Sequence, residues 1–567
     1  MREATVSTSI RGKRWLIRWP EAGLRPVAGF PPVTGRLLAL RGVRDESEAH
    51  RFLFDSGKPP NPWELPGMDR AVERLLRAIR AGERIAVYGD YDVDGVTATA
   101  ILSEGLRDLG ADVVTHIPDR FSEGYGLTAT GLKAVRRLGT SLVVSVDCGV
   151  SAVEEIARAR ADGMGVVVLD HHVPRAALPL ADAIVDPKLE DGAPSDLAHL
   201  ASCGLAYTTL RALYDAYGRS LDEDRYLELV ALGTIADIVP LVGENRRLVR
   251  RGLAALRRSG RPGVLALLES AGFRGATVGA NGVAFRLAPR LNAAGRLVHA
   301  SLALELLTTT DETRARTLAE RLNGLNARRQ QMTDAALRMA LALAQQDGRD
   351  SPLVMVGHEQ ISRGITGLVA SKLVEALHRP SIVYEVGAEY CTGSVRSIPD
   401  LSAVECLAQG AELLDRWGGH RQAGGFTVRT DRLPALKAVL STWVAEQLAG
   451  ADLRPALVAD LETPLAELQG SDLQHLPSFE PCGQDNPPPT FVSRGVPVLS
   501  ARSMGQEGQH LRLKLSAGRQ VWDAVGFDLG HIIPAPGTRV DIVYTVGPDR
   551  RGATMELRLL DYALSTG

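Results

Sequence analysis

Between about residues 70 and 240 short apolar runs alternate with longer segments of helical periodicity. The runs fall at 84–89, 112–117, 141–146 and 165–169, and the helical segments at 96–109, 128–138, 151–161 and 205–217. Such alternation predicts a largely parallel sheet with helices on both faces. A long helical stretch follows over 311–346, with no proline and only Gly324 to weaken it. Its 36 residues would reach roughly 54 Å, the length of a connector between two lobes. A second α/β pattern runs from 352 to about 450. After it come short strands at 496–499, 510–515, 520–527, 539–546 and 555–560, a count that fits a five-stranded barrel of OB type. Residues 1–70 carry short pieces with many prolines and predict a cap packed on the domain that follows.

The apolar runs end in chemistry. The first leads into Asp90-Tyr91-Asp92-Val93-Asp94-Gly95, the third into Asp147-Cys148-Gly149 and the fourth into Asp170-His171-His172. Parallel strands bring their carboxyl ends to one edge, where ligands bind in open α/β sheets. Asp237 adds a carboxylate inside the apolar run Gly233–Pro240. Several like charges in one place repel unless water or a cation neutralises them.

Three readings of Asp90–Asp94 compete with a plain solvated turn. A calcium loop of EF-hand type needs a Glu at its twelfth position, which here is Ile101. A haloacid-dehalogenase nucleophile would need a later acidic pair, and the chain offers Asp170-His171-His172 instead. A dinuclear site accounts for all the strand ends. Mixed Asp and His donors suit Mn²⁺ or Mg²⁺, two ions, with imidazole tilting the balance toward Mn²⁺.

Composition changes the picture at two points. The 567 residues carry a formal charge of −2, but residues 245–338 hold 17 Arg, no Lys and 6 acidic residues, hence +11. Arginine excess suggests phosphate contacts, with Arg290, Asn292 and Arg296 of Arg290-Leu291-Asn292-Ala293-Ala294-Gly295-Arg296 as candidates. The five cysteines form no CxxC pair, which suggests reduced thiols in a cytoplasm. No apolar run is long enough to cross a membrane, and Met1 to Trp15 lacks a secretory apolar core.

In order and spacing, Asp90–Gly95, Asp147-Cys148-Gly149, Asp170-His171-His172 and Asp237 resemble the four motifs of the DHH phosphoesterase superfamily. The resemblance implies a dinuclear site in which Asp92 binds one metal and Asp94 the other. Asp147 would bridge them, His171 and Asp237 would complete the second, and His172 would face the phosphate, making Asp147 and His172 the catalytic pair. Pyrophosphatase members carry a metal-binding His where this chain has Tyr88, so Asp90 is the candidate substitute. The glycine-rich turns of 364–373, 393–397 and 418–426 resemble the DHH-associated domain, and imply that Ser394, Arg396 and His420 hold the substrate against the metals.

The whole order of units resembles the RecJ family. The implied fold is α/β: a DHH-type sheet domain (71–245) behind a cap (1–70), a basic helical segment with the long connector helix (246–350), a DHH-associated domain (351–452) and an OB-like barrel (453–567). In the barrel Phe491, Trp522 and Phe527 are the aromatics available for stacking, with core packing expected for two of the three. The implied activity is hydrolysis of single-stranded DNA from the 5′ end to 5′ mononucleotides, in recombination and repair. A bacterial, cytoplasmic, monomeric enzyme is expected, with single-stranded-DNA-binding protein and repair helicases as family partners and no membrane. The competing readings are a small-substrate DHH phosphodiesterase acting on oligoribonucleotides or cyclic dinucleotides, and a non-enzymatic relative, which the intact ligand set disfavours.

Overall fold

The computed structural model describes residues 2–4, 9–20, 23–174, 177–189, 192–273, 278–346, 351–549 and 554–565. Five parallel strands form the first sheet, in the order Val113–His116, Ile85–Tyr88, Leu142–Val146, Gly165–Leu169 and Ala183–Val185. The inner strands are almost wholly apolar, Ser145 excepted, because helices cover both faces. Met68–Ala81, Val93–Asp108, Ser202–Tyr217 and Asp224–Ala236 share one core, and Ala129–Arg137 and Val153–Ala161 build the smaller one opposite.

The strand order places the site. After Ile85–Tyr88 the chain steps outward to Val113–His116, then returns past its start to Leu142–Val146. The two connections leave in opposite directions, so a crevice opens at the carboxyl ends of Ile85–Tyr88 and Leu142–Val146. Those are the ends that carry Asp90–Asp94 and Asp147.

The connector is the 35-residue helix Glu312–Gln346, about 52 Å long. Ala315, Leu318 and Leu322 lie in the first lobe's core, and Ala336 and Ala340 lie in the core of the second. The second lobe is a sheet ordered Leu414–Gly419, Ala423–Arg429, Tyr390–Arg396, Ser381–Glu385 and Val354–His358, in which only the last pair is parallel. The C-terminal strands Thr490–Met504, His510–Ala517, Gln520–Gly526, Met555–Leu564 and Arg539–Pro548 close into a barrel, because the first also pairs with the last. Phe491 and Trp522 are buried in the barrel and Phe527 is exposed.

The N-terminal cap departs from expectation. It packs mainly on the barrel rather than on the domain that follows it. Strand Arg14–Ile17 runs parallel to Ala456–Ala459, and Val33, Leu37 and Leu53 share a core with Leu513, Trp522 and Tyr544. Trp15 is fully buried, and its Nε1 donates to Asp561 at 2.9 Å. Two helices of nine residues each cannot bury an apolar face by themselves, and the barrel surface supplies the missing layer. The barrel unit is in turn fixed to the first lobe beside Asp237. There the Leu241 N–H donates to the Gln484 carbonyl at 2.8 Å, and Arg246 donates to the Ser478 and Phe479 carbonyls.

The basic segment is also corrected. Arg247, Arg251, Arg261, Arg314 and Arg316 are paired with carboxylates. Arg246, Arg250 and Arg286 are spent on backbone carbonyls. Much of the +11 therefore holds helices together. Net charge counts side chains and cannot see which of them a carbonyl or a distant acid will capture.

Candidate active site

Asp92 caps the helix Val93–Asp108, its carboxylate accepting from the Asp94 and Gly95 N–H groups at 2.9 and 3.1 Å. Short acceptors are favoured at such ends because the first turn has unpaired donors and a positive dipole end. Asp94 lies within the first turn and is wholly buried. It accepts from the Ser202 and Cys203 N–H groups at 2.7 and 2.9 Å, so the N-terminus of a second helix, Ser202–Tyr217, fixes it from above. Asp147 ends its strand with φ of 65°, in the left-handed region that an L-residue enters at some cost. That bend turns its carboxylate into the crevice, where Ser202 Oγ donates to it at 3.0 Å. Asp237 ends the helix Asp224–Ala236, and Ile238 after it also has a positive φ, of 60°, and is 71% exposed.

Asp170 takes no place among the candidate ligands. It accepts from the N–H groups of Val150, His171 and His172, and His172 Nδ1 lies 2.7 Å from its carboxylate. Burial would raise its pKa, but these bonds and the histidine charge hold it down at about 2. The two histidines are driven apart. Burial and the charge of His172 lower His171 to about 3, whereas His172 is raised to about 9: burial opposes its charge, but the bond to Asp170 prevails. One ring is thus neutral with a free lone pair, and its neighbour is a cation.

Ligand-type atoms gather in overlapping groups, each within 4.8 Å: Asp90, Asp92 and Asp147; Asp94, His171 and Asp237; and Asp147, His171 and His172. His171 Nε2 lies 3.3 Å from Asp147, 3.4 Å from Asp237 and 4.0 Å from Asp94. It is buried and has no hydrogen-bond partner, and neither does the buried Oδ1 of Asp90. Asp90, Asp94, Asp147 and Asp237 all have raised pKa values, first from burial and then, in Asp90, Asp94 and Asp147, from the charge of Asp92; in Asp237 the next cause is Asp94. Two orphaned acceptors among carboxylates gathered at such distances fit divalent cations held among them. Tyr88 stands apart: its ring is in the core and its hydroxyl donates to the Gly126 carbonyl at 3.2 Å.

A second cluster, of arginines, lies beside the first. The candidate segment around Asn292 is the helix Ala288–Leu297. A Cβ at Gly295 would lie 2.5 Å from the Tyr91 carbonyl, so a glycine is needed there for the helix to press against the acidic turn. This contact delivers Arg296. Its pKa falls to about 9, first through burial and then through the charges of Arg120, Arg329 and Arg396. Arg120 lies 4.0 Å over the Tyr91 ring, and the buried Nε atoms of Arg120 and Arg329 have no partner. Ser394 Oγ is 2.9 Å from Thr366 Oγ1, on the strand that carries Arg396. Four guanidinium groups drawn together with little acid among them make a site for an anion rich in oxygen.

Arg290 is turned away onto Asn323 and the Arg286 and Ser270 carbonyls, and Asn292 is half-buried on the same helix. The second lobe reaches the first through His420, whose ring stacks on His172, and through Arg363, which donates to the Phe121 carbonyl at 2.9 Å. Arg120, Tyr125 and Ser202 were not singled out from the sequence. Tyr125 OH lies 3.2 Å from His172 Nε2. The position of Arg120 just past a predicted strand end was the one available clue.

Comparison with known proteins agrees with this architecture. The DHH family N-terminal domain matches residues 84–234, the DHHA1 domain residues 350–446 and the RecJ OB domain residues 459–559. The chain is similar to the single-stranded-DNA-specific exonuclease RecJ of Thermus thermophilus, at 39% identity over 89% of this chain and 73% of that protein. It is similar to the Escherichia coli protein of the same name at 34% identity, over 91% of this chain and 93% of that one. Among solved structures, RecJ from Thermus thermophilus in complex with Mn²⁺ aligns with a TM-score of 0.81 at 33% identity, covering 95% of this chain and 77% of that chain. A crystal structure of the same protein with Mg²⁺ aligns with a TM-score of 0.75.

Proposed function

The chain belongs to the RecJ family, and from that premise we propose that it is a metal-dependent exonuclease that degrades single-stranded DNA from the 5′ end to 5′ mononucleotides. The observation that carries the reading is the juxtaposition of two clusters. A set of crowded carboxylates and an imidazole, with the Asp90 Oδ1 and His171 Nε2 acceptors left without partners, stands beside a set of crowded arginines, in one cleft between two lobes.

Asp90, Asp92 and Asp147 would hold one ion and Asp94, His171 and Asp237 the other, with Asp147 shared. Two such ions activate water and offset charge on the phosphoryl oxygens of an in-line displacement. The rest falls to the protein. Asp170 keeps His172 protonated, and the cation faces the scissile phosphate and neutralises charge there. His420 closes from the other lobe and excludes water from that face. The arginines take the 5′-terminal phosphate, a near-dianion that suits forked donors. With the terminus anchored, the next linkage lies over the ligand cluster, which releases one nucleotide at a time. A duplex end, whose strands are paired, cannot enter the same cleft as a single chain. Repair and recombination in a bacterial cytoplasm, as a monomer alongside a single-stranded-DNA-binding protein and helicases, is the setting we attach to this activity.

The test is a time course with Mn²⁺ on strands labelled at either end, beside a blunt duplex. Mononucleotides released first from the 5′ end, with the duplex spared, support the reading. Release from the 3′ end overturns it. Equal turnover of dinucleotides and long strands would favour a small-substrate phosphodiesterase.

A further inference from the structure

The fifth strand of the first sheet, Ala183–Val185, leads into Asp186-Pro187-Lys188, a strand end that the proposed chemistry does not use. Asp186 is fully buried. Its Oδ1 accepts from the Lys188 N–H at 2.8 Å, which fixes the turn, while its Oδ2 has no partner. Lys188 is exposed, and among the described residues no carboxylate pairs with its ammonium group. The ammonium nonetheless lies within electrostatic reach of His171, Asp237 and His420. The turn adjoins the strand end that carries the histidines, the Asp170 N–H donating to the Val185 carbonyl at 3.1 Å, so Lys188 stands on the side of the cleft where His420 of the second lobe meets His172.

The sheet order gives this position a direction. The arginine cluster lies at one side, where Arg120 follows the edge strand Val113–His116. The ligand cluster lies over the middle three strands, and Lys188 lies past the opposite edge strand. Four inter-strand steps at 4.7–4.9 Å separate the two edges by roughly 19 Å. A strand whose 5′ phosphate is among the arginines and whose first linkage is over the ligand cluster continues, along the same direction, toward Lys188. An unpaired ammonium on a fixed turn makes a point contact with phosphate rather than a fork, which suits a chain that must advance after each cleavage.

We propose that Lys188 is a strand-positioning residue that binds the first phosphate on the 3′ side of the scissile linkage. The inference rests on the exonuclease reading above and adds to it the path of the strand being degraded. Losing a charge-assisted contact of this kind should cost on the order of tenfold in kcat/KM. The slope of binding against salt should become shallower by about 0.7.

The experiment uses 5′-phosphorylated single strands, each with one linkage replaced by a neutral methylphosphonate, cleaved by wild type and by Lys188→Ala. In wild type, neutralising the linkage next beyond the scissile one should lower kcat/KM by about tenfold. Lys188→Ala should lose as much on the unmodified strand and nothing further on that modified one, and Lys188→Arg should recover most of the loss. Losses that multiply at that linkage, coupling to the terminal phosphate instead, or no rescue by Arg would each overturn the assignment. If wild type itself cleaves a 5′-phosphorylated dinucleotide as well as a long strand, the exonuclease reading has failed first, and the role of Lys188 falls with it.

Discussion

The ring of His420, carried by the second lobe, lies nearly parallel to that of His172 at the end of a first-lobe strand, with centroids 6.2 Å apart and planes 16° apart. The two lobes, whose main covalent tie is one long helix, thus face each other across the cleft at these two rings. Removing the ring should loosen closure without disturbing the ligand cluster. His420→Ala should lower kcat on single strands by on the order of 10²-fold, the cost of losing alignment at a reacting centre. Bound manganese, measured by elemental analysis, should stay at the wild-type level.

The adjacent histidines should separate under mutation. His171 presents a partnerless Nε2 to three carboxylates, whereas His172 is committed to Asp170 and Tyr125. His171→Ala should reduce metal content. His172→Ala should keep it and slow turnover by about 10²–10³-fold, the range for a donor lost from developing charge. Equal metal loss in both would contradict the division of roles.

The arginine cluster should read the 5′ end. On strands with a 5′ phosphate, Arg396→Ala and Arg120→Ala should each lower kcat/KM by on the order of tenfold or more. On strands with a 5′ hydroxyl the loss should be small. The ratio of the two substrates is the readout, and a ratio that does not change would remove these residues from terminal-phosphate binding.

Trp15 ties the N-terminal cap to the barrel, and its replacement should be felt as stability. Trp15→Ala removes a fully buried indole and a bond to Asp561, and should cost about 3–5 kcal/mol in urea unfolding. A loss under about 1 kcal/mol would mean that the cap is an appendage rather than part of the barrel's core.

Much of this was legible in the chain. Strands of a buried parallel sheet are near-continuous apolar runs, so Leu142–Val146 and Gly165–Leu169 announce themselves, and the residues that end them fall at one edge by topology alone. The long helix Glu312–Gln346 was plain from the absence of breakers. Other features have no local pattern. The cap meets its partner across more than 400 residues, as with Trp15 and Asp561, and no periodicity encodes that. Arg120, Tyr125 and Lys188 are single polar residues on loops, and only the placement of their strands gives them meaning. The arginines of 245–338 misled for the opposite reason: a strong compositional excess is in large part structural, and Arg296 stands out by the contact of Gly295 with Tyr91, not by its charge.

Asp147, held in a left-handed conformation at a strand end, is the carboxylate that two bound ions would share. The most direct test is the Mn²⁺ content of wild type and Asp147→Asn, by elemental analysis on protein of matched fold, with hydrolysis of a 5′-phosphorylated single strand measured alongside. The expected result is two ions per chain in wild type and one or fewer in the variant, with turnover reduced by at least on the order of 10²–10³-fold. Two ions retained in Asp147→Asn with turnover near that of wild type would contradict that role.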